Sequence, residues 1–410
     1  MRPARLVSLV DVAHGTGEVG YKAERLGRAL HVGLPVLPGW VVPVSVGREA
    51  VKAGACAVRA RGVAAGRVAV LGRPVDPGLE AELRGVVDDL GGRVIVRSSS
   101  PLERDAVWSG AFSSVTGVGR DDVGNAVRSC WASAVGPDPL RRLAGCGVEL
   151  EALELAVLLQ PEINPEAGGV ARTEPGSGAG VEVLIEGVRG HPGPLLSGWV
   201  EGAAARVRGG GPDAAQDGSL ADLIGPETVT NVAGLARRVY TELGDDVIEW
   251  AACGGTVWLL QSLRGTPAPP RDAPAAQVPG TLVPGRPAAP GTASGPLLPC
   301  RPHEPVPPGC RDAILLVDRP LPALAPLLFG ARGVISRSGA AGSHLAEVAR
   351  GLGIPMVTGC RTETVTGPDP APGAWHAVID GATGEARLSP ATGRRPPRPG
   401  APGDWPSARH

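Results

Sequence analysis

Lysine, surplus charge, aromatic side chains and long hydrophobic runs are all scarce in this 410-residue chain. Forty basic residues meet forty-one acidic ones, a formal net charge of −1. A chain whose main partner is a polyanion carries surplus Lys and Arg. That reading is excluded, while a local pocket for a few phosphates is not. The uncharged run Gly33–Gly47 is broken by Pro35, Pro38 and Pro43 and is too short to span a bilayer. Seven cysteines without paired spacing do not make a secreted disulfide framework. Arg2 and Arg5 precede an apolar stretch cut by Asp11, a poor signal peptide. The expectation is a soluble, cytoplasmic protein of two or three domains, with no nucleic-acid and no membrane partner.

Only Lys22 and Lys52 are lysine; the other basic residues are arginine. Abundant Ala, Gly, Arg and Pro look like GC-rich coding pressure. A lysine that survives such pressure marks a place where a compact charge, not a planar fork, is needed. That directs attention to Lys22.

Apolar spacing predicts strands over Leu6–Val12, Val36–Val44, Val94–Arg97, Leu153–Leu159, Glu182–Glu186 and Val257–Gln261. It predicts helices over Lys22–Val32, around Trp131 and over Thr228–Leu243. Five prolines between Gly265 and Gly280 suit an extended linker. Beyond it, Ala313–Val317, Gly333–Ser336, Pro355–Val357 and Ala377–Ile379 read as strands, and a helix begins at Ser343. The division is residues 1–265, a Pro-rich linker at 266–280, a second unit at 281–388 and a disordered tail at 389–410. There is no internal repeat.

Gly15–Gly20 matches G-x-G-x-x-G between a strand and a helix, the setting of a dinucleotide fingerprint. The confirming carboxylate after the next strand is missing from Val41–Ser45. A phosphate loop beside Lys22 is the preferred reading, with a plain surface turn as its rival.

Five segments, in order, resemble one family. They are Gly20-Tyr21-Lys22-Ala23-Glu24-Arg25-Leu26 with Gly33–Val42, Val96–Ser100 with Glu103 and Ser109-Gly110, Ile248–Ala251 with Leu259-Leu260-Gln261, Pro290–Gly295, and Gly342–Arg350 with Gly353-Ile354-Pro355. The chain is similar to the phosphoenolpyruvate synthase, pyruvate phosphate dikinase and rifampicin phosphotransferase family. The resemblance implies an α+β ATP-grasp-like nucleotide-binding domain and a small α/β swivelling phosphohistidine domain. It implies ATP and Mg²⁺ as cofactors. Lys22 and Arg97 would contact phosphates, and Gly110 and Ser113 would belong to a loop closing over them. Gln160 would lie at the adenine-side hinge, and Glu249 and Gln261 would bind the metal. His344 would be phosphorylated, with ATP giving AMP and phosphate. Lys22, Arg97 and His344 are the expected catalytic residues.

Two departures stand out. The family's Gln-x-Arg becomes Gln261-Ser262-Leu263-Arg264, one position late. A one-residue slip in a strand turns a side chain to the other face, so either a bulge restores Arg264 to the nucleotide site or the contact is lost. The family's FTxDP segment reads Ala171-Arg172-Thr173-Glu174-Pro175.

His344 follows Ser343, a good helix N-cap. Leu345, Val348, Ala349 and Leu352 form an apolar stripe that leaves the histidine at the first turn. The positive end of a helix favours a neutral imidazole and stabilises phosphate on it. His14 and His31 have no such context, and Cys300, His303 and Cys310 lack a fourth metal ligand.

The family's pyruvate-binding barrel and inserted antibiotic-binding domain have no counterpart. The acceptor would be a small molecule bound between the two units or on a separate acceptor-binding protein. Three functions stay open: an ATP-dependent dikinase-type phosphotransferase, an ATP-driven ligase or condensing enzyme activating a carboxyl or carbonyl group, and a non-catalytic nucleotide-binding partner subunit.

Overall fold

The computed structural model describes residues 6–12, 17–175, 181–209, 215–265, 280–302, 304 and 309–391. Most of the expected linker and tail, with His14, Gly15, Thr16 and His303, lies outside these residues. Among the described residues the strands form three sheets.

The first sheet is antiparallel, in the order Val7–Ser8, Trp40–Val42, Ala156–Pro161, Val94–Ser99 and Ser114–Val118. Its central strands are apolar runs buried on both faces. Val41, Ala156 and Leu158 enter one core; Val42, Val157 and Leu159 enter another, as a period of two requires. The second core is filled from the helices Val44–Arg61, Val63–Leu71, Pro77–Asp89, Val123–Ala134 and Pro137–Cys146. Asp76 caps the third of these by accepting from the amides of Gly78 and Leu79.

The first core continues through the helices Gly20–His31 and Pro226–Leu243 into a six-stranded antiparallel sheet. Its order is Thr256–Leu263, Val247–Cys253, Ala167–Pro175, Val181–Arg189, Ala203–Arg208 and Ala215–Asp217. The long helix ends at Gly244, whose φ of 71° is a left-handed cap.

The third sheet has eight strands: Thr281–Pro284, Glu385–Pro390, Trp375–Asp380, Thr292–Pro299, Ile314–Val317, Gly333–Ser336, Met356–Thr358 and Arg286–Ala289. Its centre is parallel. Ile314–Val317 and Gly333–Ser336 are buried throughout, as strands covered on both faces must be. The crossover helix His344–Gly351 leaves the carboxyl end of Gly333–Ser336, where open α/β sheets present their reacting groups.

Two strands are shorter than the sequence predicts. Leu6–Val12 holds a two-residue strand followed by a 3-10 turn over Leu9–Asp11. Val36–Val44 is a continuous strand only over Trp40–Val42, with Val36 making an isolated parallel bridge to Leu259, because Pro38 offers no amide and Pro43 instead caps the Val44–Arg61 helix. At the other end, the last strand runs two residues past the expected boundary, to Pro390. Among the described residues no helix is long and apolar enough to cross a membrane.

Candidate active site

The helix carrying Lys22 starts where only glycine fits. Gly20 has a φ of 70°, and a Cβ there would lie 2.0 Å from the Ser99 carbonyl oxygen. Ser99 Oγ accepts from the Ala23 amide at 3.0 Å and donates to the Val19 carbonyl at 2.8 Å. This seat turns Lys22 inward, 6% exposed. Its Nζ donates to the Ser98 carbonyl at 2.8 Å and to Glu103 Oε1 at 3.0 Å. Glu103 in turn accepts from the Ser100 amide at 2.8 Å, completing a capping box.

Arg97 stands on the next strand, also buried. Its Nη1 donates to Gln160 Oε1 at 3.1 Å and to the Leu260 carbonyl at 2.7 Å, and its Nη2 is 3.9 Å from Glu249 Oε2. Gln160 Nε2 donates to the Leu37 carbonyl at 3.0 Å. Glu249 and Gln261 face each other across adjacent strands. The ladder shifts between Glu249 and Trp250, which leaves Leu260 as a bulge whose carbonyl meets Arg97. The structure therefore brings Lys22, Arg97, Gln160, Glu249 and Gln261 together from both N-terminal sheets and the helix between them.

Arg264 does not join them. The bulge precedes Gln261, and Ile248–Ser262 and Val247–Leu263 then pair in regular succession. Arg264 thus shares a face with Ser262, not Gln261. It is exposed, and its Nε donates to the Gly244 carbonyl at 3.2 Å. Ser113 is also exposed, with its amide bonded to Ser133 Oγ at 3.2 Å.

His344 opens its helix beneath Ser343, whose Oγ accepts from the Ala346 amide at 3.4 Å. The imidazole Nδ1 lies 2.9 Å from Ser109 Oγ, across the boundary between the two parts of the molecule. Gly110 lies against the ring: its φ is 65°, and a Cβ there would stand 2.8 Å from His344 Cγ and Cδ2. The loop is pinned by Arg142, which is fully buried. Arg142 Nη1 donates to the carbonyls of Val107 at 2.7 Å and Ser109 at 2.9 Å, and Nη2 pairs with Asp138 at 2.7 Å. Burial pulls the His344 pKa below its usual value; Glu249 opposes this, while Lys22 and Arg142 add to it. Lys22 and Glu249 of the N-terminal cluster thus act on the ring electrostatically.

Around this contact, carboxylates and arginines join the two parts. Arg172 Nη2 donates to Glu347 Oε1 at 2.6 Å and Oε2 at 2.8 Å, and Arg350 pairs with the same carboxylate. Burial raises the pKa of Glu347, but the two arginines outweigh it and hold the carboxyl below its ordinary range. Glu186 accepts from the amides of Ala341 at 3.1 Å and Gly342 at 2.6 Å. Glu201 accepts from the Gly339 amide at 3.1 Å.

No sequence motif marks Ser109 as a histidine contact, or Arg142, Glu186 and Glu347 as site residues, because each acts on a partner more than thirty positions away or across the boundary. Arg172 was visible only as a departure from the FTxDP pattern. His191, on a turn after the Val181–Arg189 strand, also feels the charges of Arg97 and Glu249.

Among the described residues no group of three or more His, Cys, Asp or Glu could hold a metal. Glu249 and Gln261 supply two hard oxygens. Two protein oxygens suit a magnesium ion whose other ligands are phosphate oxygens and water. Cys300 and Cys310 are buried, and burial pushes the Cys300 thiol up to about 12. A large open cavity of about 1970 Å³ lies between the two parts, lined by Arg172, Arg264, Arg286 and Glu347, but not by Lys22, Arg97, Glu249 or His344.

Residues 16–214 match the family described as pyruvate phosphate dikinase, AMP/ATP-binding domain. Residues 309–384 match the PEP-utilising enzyme mobile domain. A probable phosphoenolpyruvate synthase of Archaeoglobus fulgidus is 24% identical over 66% of this chain and 40% of its own length. A prodigiosin synthesizing transferase, PigC, of Serratia marcescens is 26% identical over 64% of this chain and 33% of its own. A second probable phosphoenolpyruvate synthase, of Methanothermobacter thermautotrophicus, is 26% identical over 66% and 44%. The chain thus spans less than half the length of these relatives. Among solved structures, an N5-carboxyaminoimidazole synthase of Aspergillus clavatus aligns at 11% identity over 60% of this chain and 44% of its own. Its TM-score is 0.29, too low to carry an argument. The two family matches fall on the parts that meet at His344, one an α+β nucleotide-binding domain and the other a smaller swivelling domain. The chain belongs to the phosphoenolpyruvate synthase and pyruvate phosphate dikinase type of PEP-utilising enzymes.

Proposed function

We propose that this chain is an ATP-dependent, dikinase-type phosphotransferase in which His344 takes the β-phosphoryl group of ATP and carries it to a small-molecule acceptor. The observation that supports it most is the docking of His344: its imidazole rests on Ser109 and Gly110 of the N-terminal part and feels the charges of Lys22 and Glu249. Residues 1–265 would form an ATP-grasp-like unit, with the nucleotide between the two sheets that contribute Arg97 and Gln160 on one side and Glu249 and Gln261 on the other. Residues 281–388 would be the carrier, moving as a rigid body.

In this reading Lys22 and Arg97 exchange their internal partners for phosphate oxygens. Both then balance the charge that spreads over the transferring group. Glu249 and Gln261 would hold Mg²⁺, which when bound neutralises phosphate charge. The neutral His344 ring attacks through a nitrogen lone pair, forming an N–P bond to the β-phosphorus. The bridging P–O bond to the α-phosphate breaks, and its electron pair leaves with AMP. The ring then carries both the β- and γ-phosphoryl groups; water attacks the γ-phosphorus and gives up a proton to solvent, the β–γ bridging P–O bond breaks with its electron pair left on the β-phosphate, and inorganic phosphate leaves. The helix N-terminus beneath Ser343 then stabilises the phosphate on the ring.

The acceptor would bind between the two units or on a separate protein. Similarity to the prodigiosin synthesizing transferase keeps a second outcome in view: phosphoryl activation of a carboxyl or carbonyl group with phosphate lost from the product. The off-site position of Arg264 keeps the third, a nucleotide-binding subunit without turnover. Incubating the protein with ATP and Mg²⁺ and resolving the nucleotides tests all three. AMP with one equivalent of phosphate supports the proposal. Formation of ADP, or of no product, contradicts it. Phosphate retained by the acceptor distinguishes transfer from condensation.

A further inference from the structure

We propose that Ser109 is the positioning residue that selects which nitrogen of His344 receives the phosphoryl group. The inference rests on the carrier reading of His344 and adds to it a control by the opposite part of the molecule. A neutral imidazole carries one N–H and one lone pair, and only the nitrogen with the lone pair can attack. Ser109 Oγ lies 2.9 Å from Nδ1. When it accepts the Nδ1 proton, the lone pair sits on Nε2 and that nitrogen is left to react. Nε2 then forms the bond to phosphorus, the leaving oxygen takes the electron pair of the broken P–O bond, and the Nδ1 proton stays where Ser109 holds it.

Three features keep the hydroxyl in place. Arg142, fully buried and charge-balanced by Asp138, donates to the carbonyls of both Val107 and Ser109. Ser109 belongs to a loop anchored by Asp105, whose side chain accepts from the Val107 amide at 3.0 Å. Gly110 lets the ring lie directly on the backbone, so the imidazole plane is fixed beside Oγ. Ser109 and His344 are 235 residues apart and sit on opposite parts of the molecule. The hydroxyl can therefore act on the ring only while the carrier is docked. Selection operates on loading and is released when the carrier leaves.

The test uses the full chain, β-³²P-labelled ATP and Mg²⁺, in single-turnover mode. Wild type should label His344 at Nε2 alone, read by chromatography of the phosphohistidine isomers after alkaline digestion. Ser109→Ala should load about tenfold more slowly, the loss of one oriented hydrogen bond, with ATP affinity unchanged and some label on Nδ1. Ser109→Thr, which keeps the hydroxyl, should restore the rate and the single isomer; a merely structural role would not move the isomer. Ser109→Ala loading at the wild-type rate with the wild-type isomer overturns the assignment alone. Label on Nδ1 in wild type does the same. No label on His344 in wild type overturns the carrier reading and this assignment with it.

Discussion

Lys22 illustrates what a single residue type can reveal. Its Nζ occupies a buried slot between the Ser98 carbonyl and Glu103. Lys22→Arg should overpack that slot and cost about 1–3 kcal/mol, read from denaturant unfolding, and should weaken ATP binding in titration. Gly110 is the second sensitive residue. Gly110→Ala places a methyl on the His344 ring and forces a left-handed φ on alanine, a cost of about 1–2 kcal/mol. Labelling of His344 should fall at least about tenfold, far more than ATP affinity, as filter binding and single-turnover assays would show. At this scale the sequence was legible where one residue type carried the signal: the surviving lysine, and a histidine behind a serine cap. Ser109 and Arg142 were not legible, because their roles come from a loop fold that no local spacing encodes. Arg264 shows the limit in another way: its one-residue displacement was readable, but only the position of the bulge at Leu260 decided its direction.

The His344–Gly351 helix is the element on which the proposed chemistry turns. Ser343→Ala removes its cap and should cost about 1 kcal/mol, seen as a lower Tm. The same helix bears the Glu347 contact with Arg172, which fastens it to the N-terminal part. Losing Arg172 would leave Glu347 with Arg350, a partner on its own helix, and would remove the pair that crosses the boundary, at a cost to docking of about 1.5–3 kcal/mol. Arg172→Met should therefore release the carrier, visible as a larger radius of gyration in solution scattering. Acid should act through two groups in sequence. The docked His344 has a lowered pKa, so below its ordinary value near 6.5 the released ring takes up a proton first, and acidification favours release. Glu347 has a lowered pKa too, so its contribution to docking is present above about 4.5 and is lost only as pH falls through the docked value. Scattering between pH 7.5 and 5.5 should show release that His344→Asn suppresses.

Over the whole molecule, strands such as Gly333–Ser336 and Ile314–Val317 were legible because a buried parallel strand is a continuous apolar run. The helices between Val44 and Asp89 were not, since Ala, Gly, Val and Arg in weak alternation give little periodicity and their order comes from the core they share with the first sheet. The sequence also placed a pair of separate units around one histidine, but not how they meet. Their contact through Arg172, Glu186, Glu201 and Ser109 is tertiary. The account stands on His344 as the phosphoryl carrier. The most direct measurement is exposure of wild type and His344→Ala to β-³²P-labelled ATP with Mg²⁺, followed by denaturing gel and peptide mapping at alkaline pH. Acid-labile label on the His344 peptide of wild type, absent from His344→Ala, is the predicted result; label that survives the substitution, or none on wild type, would contradict it.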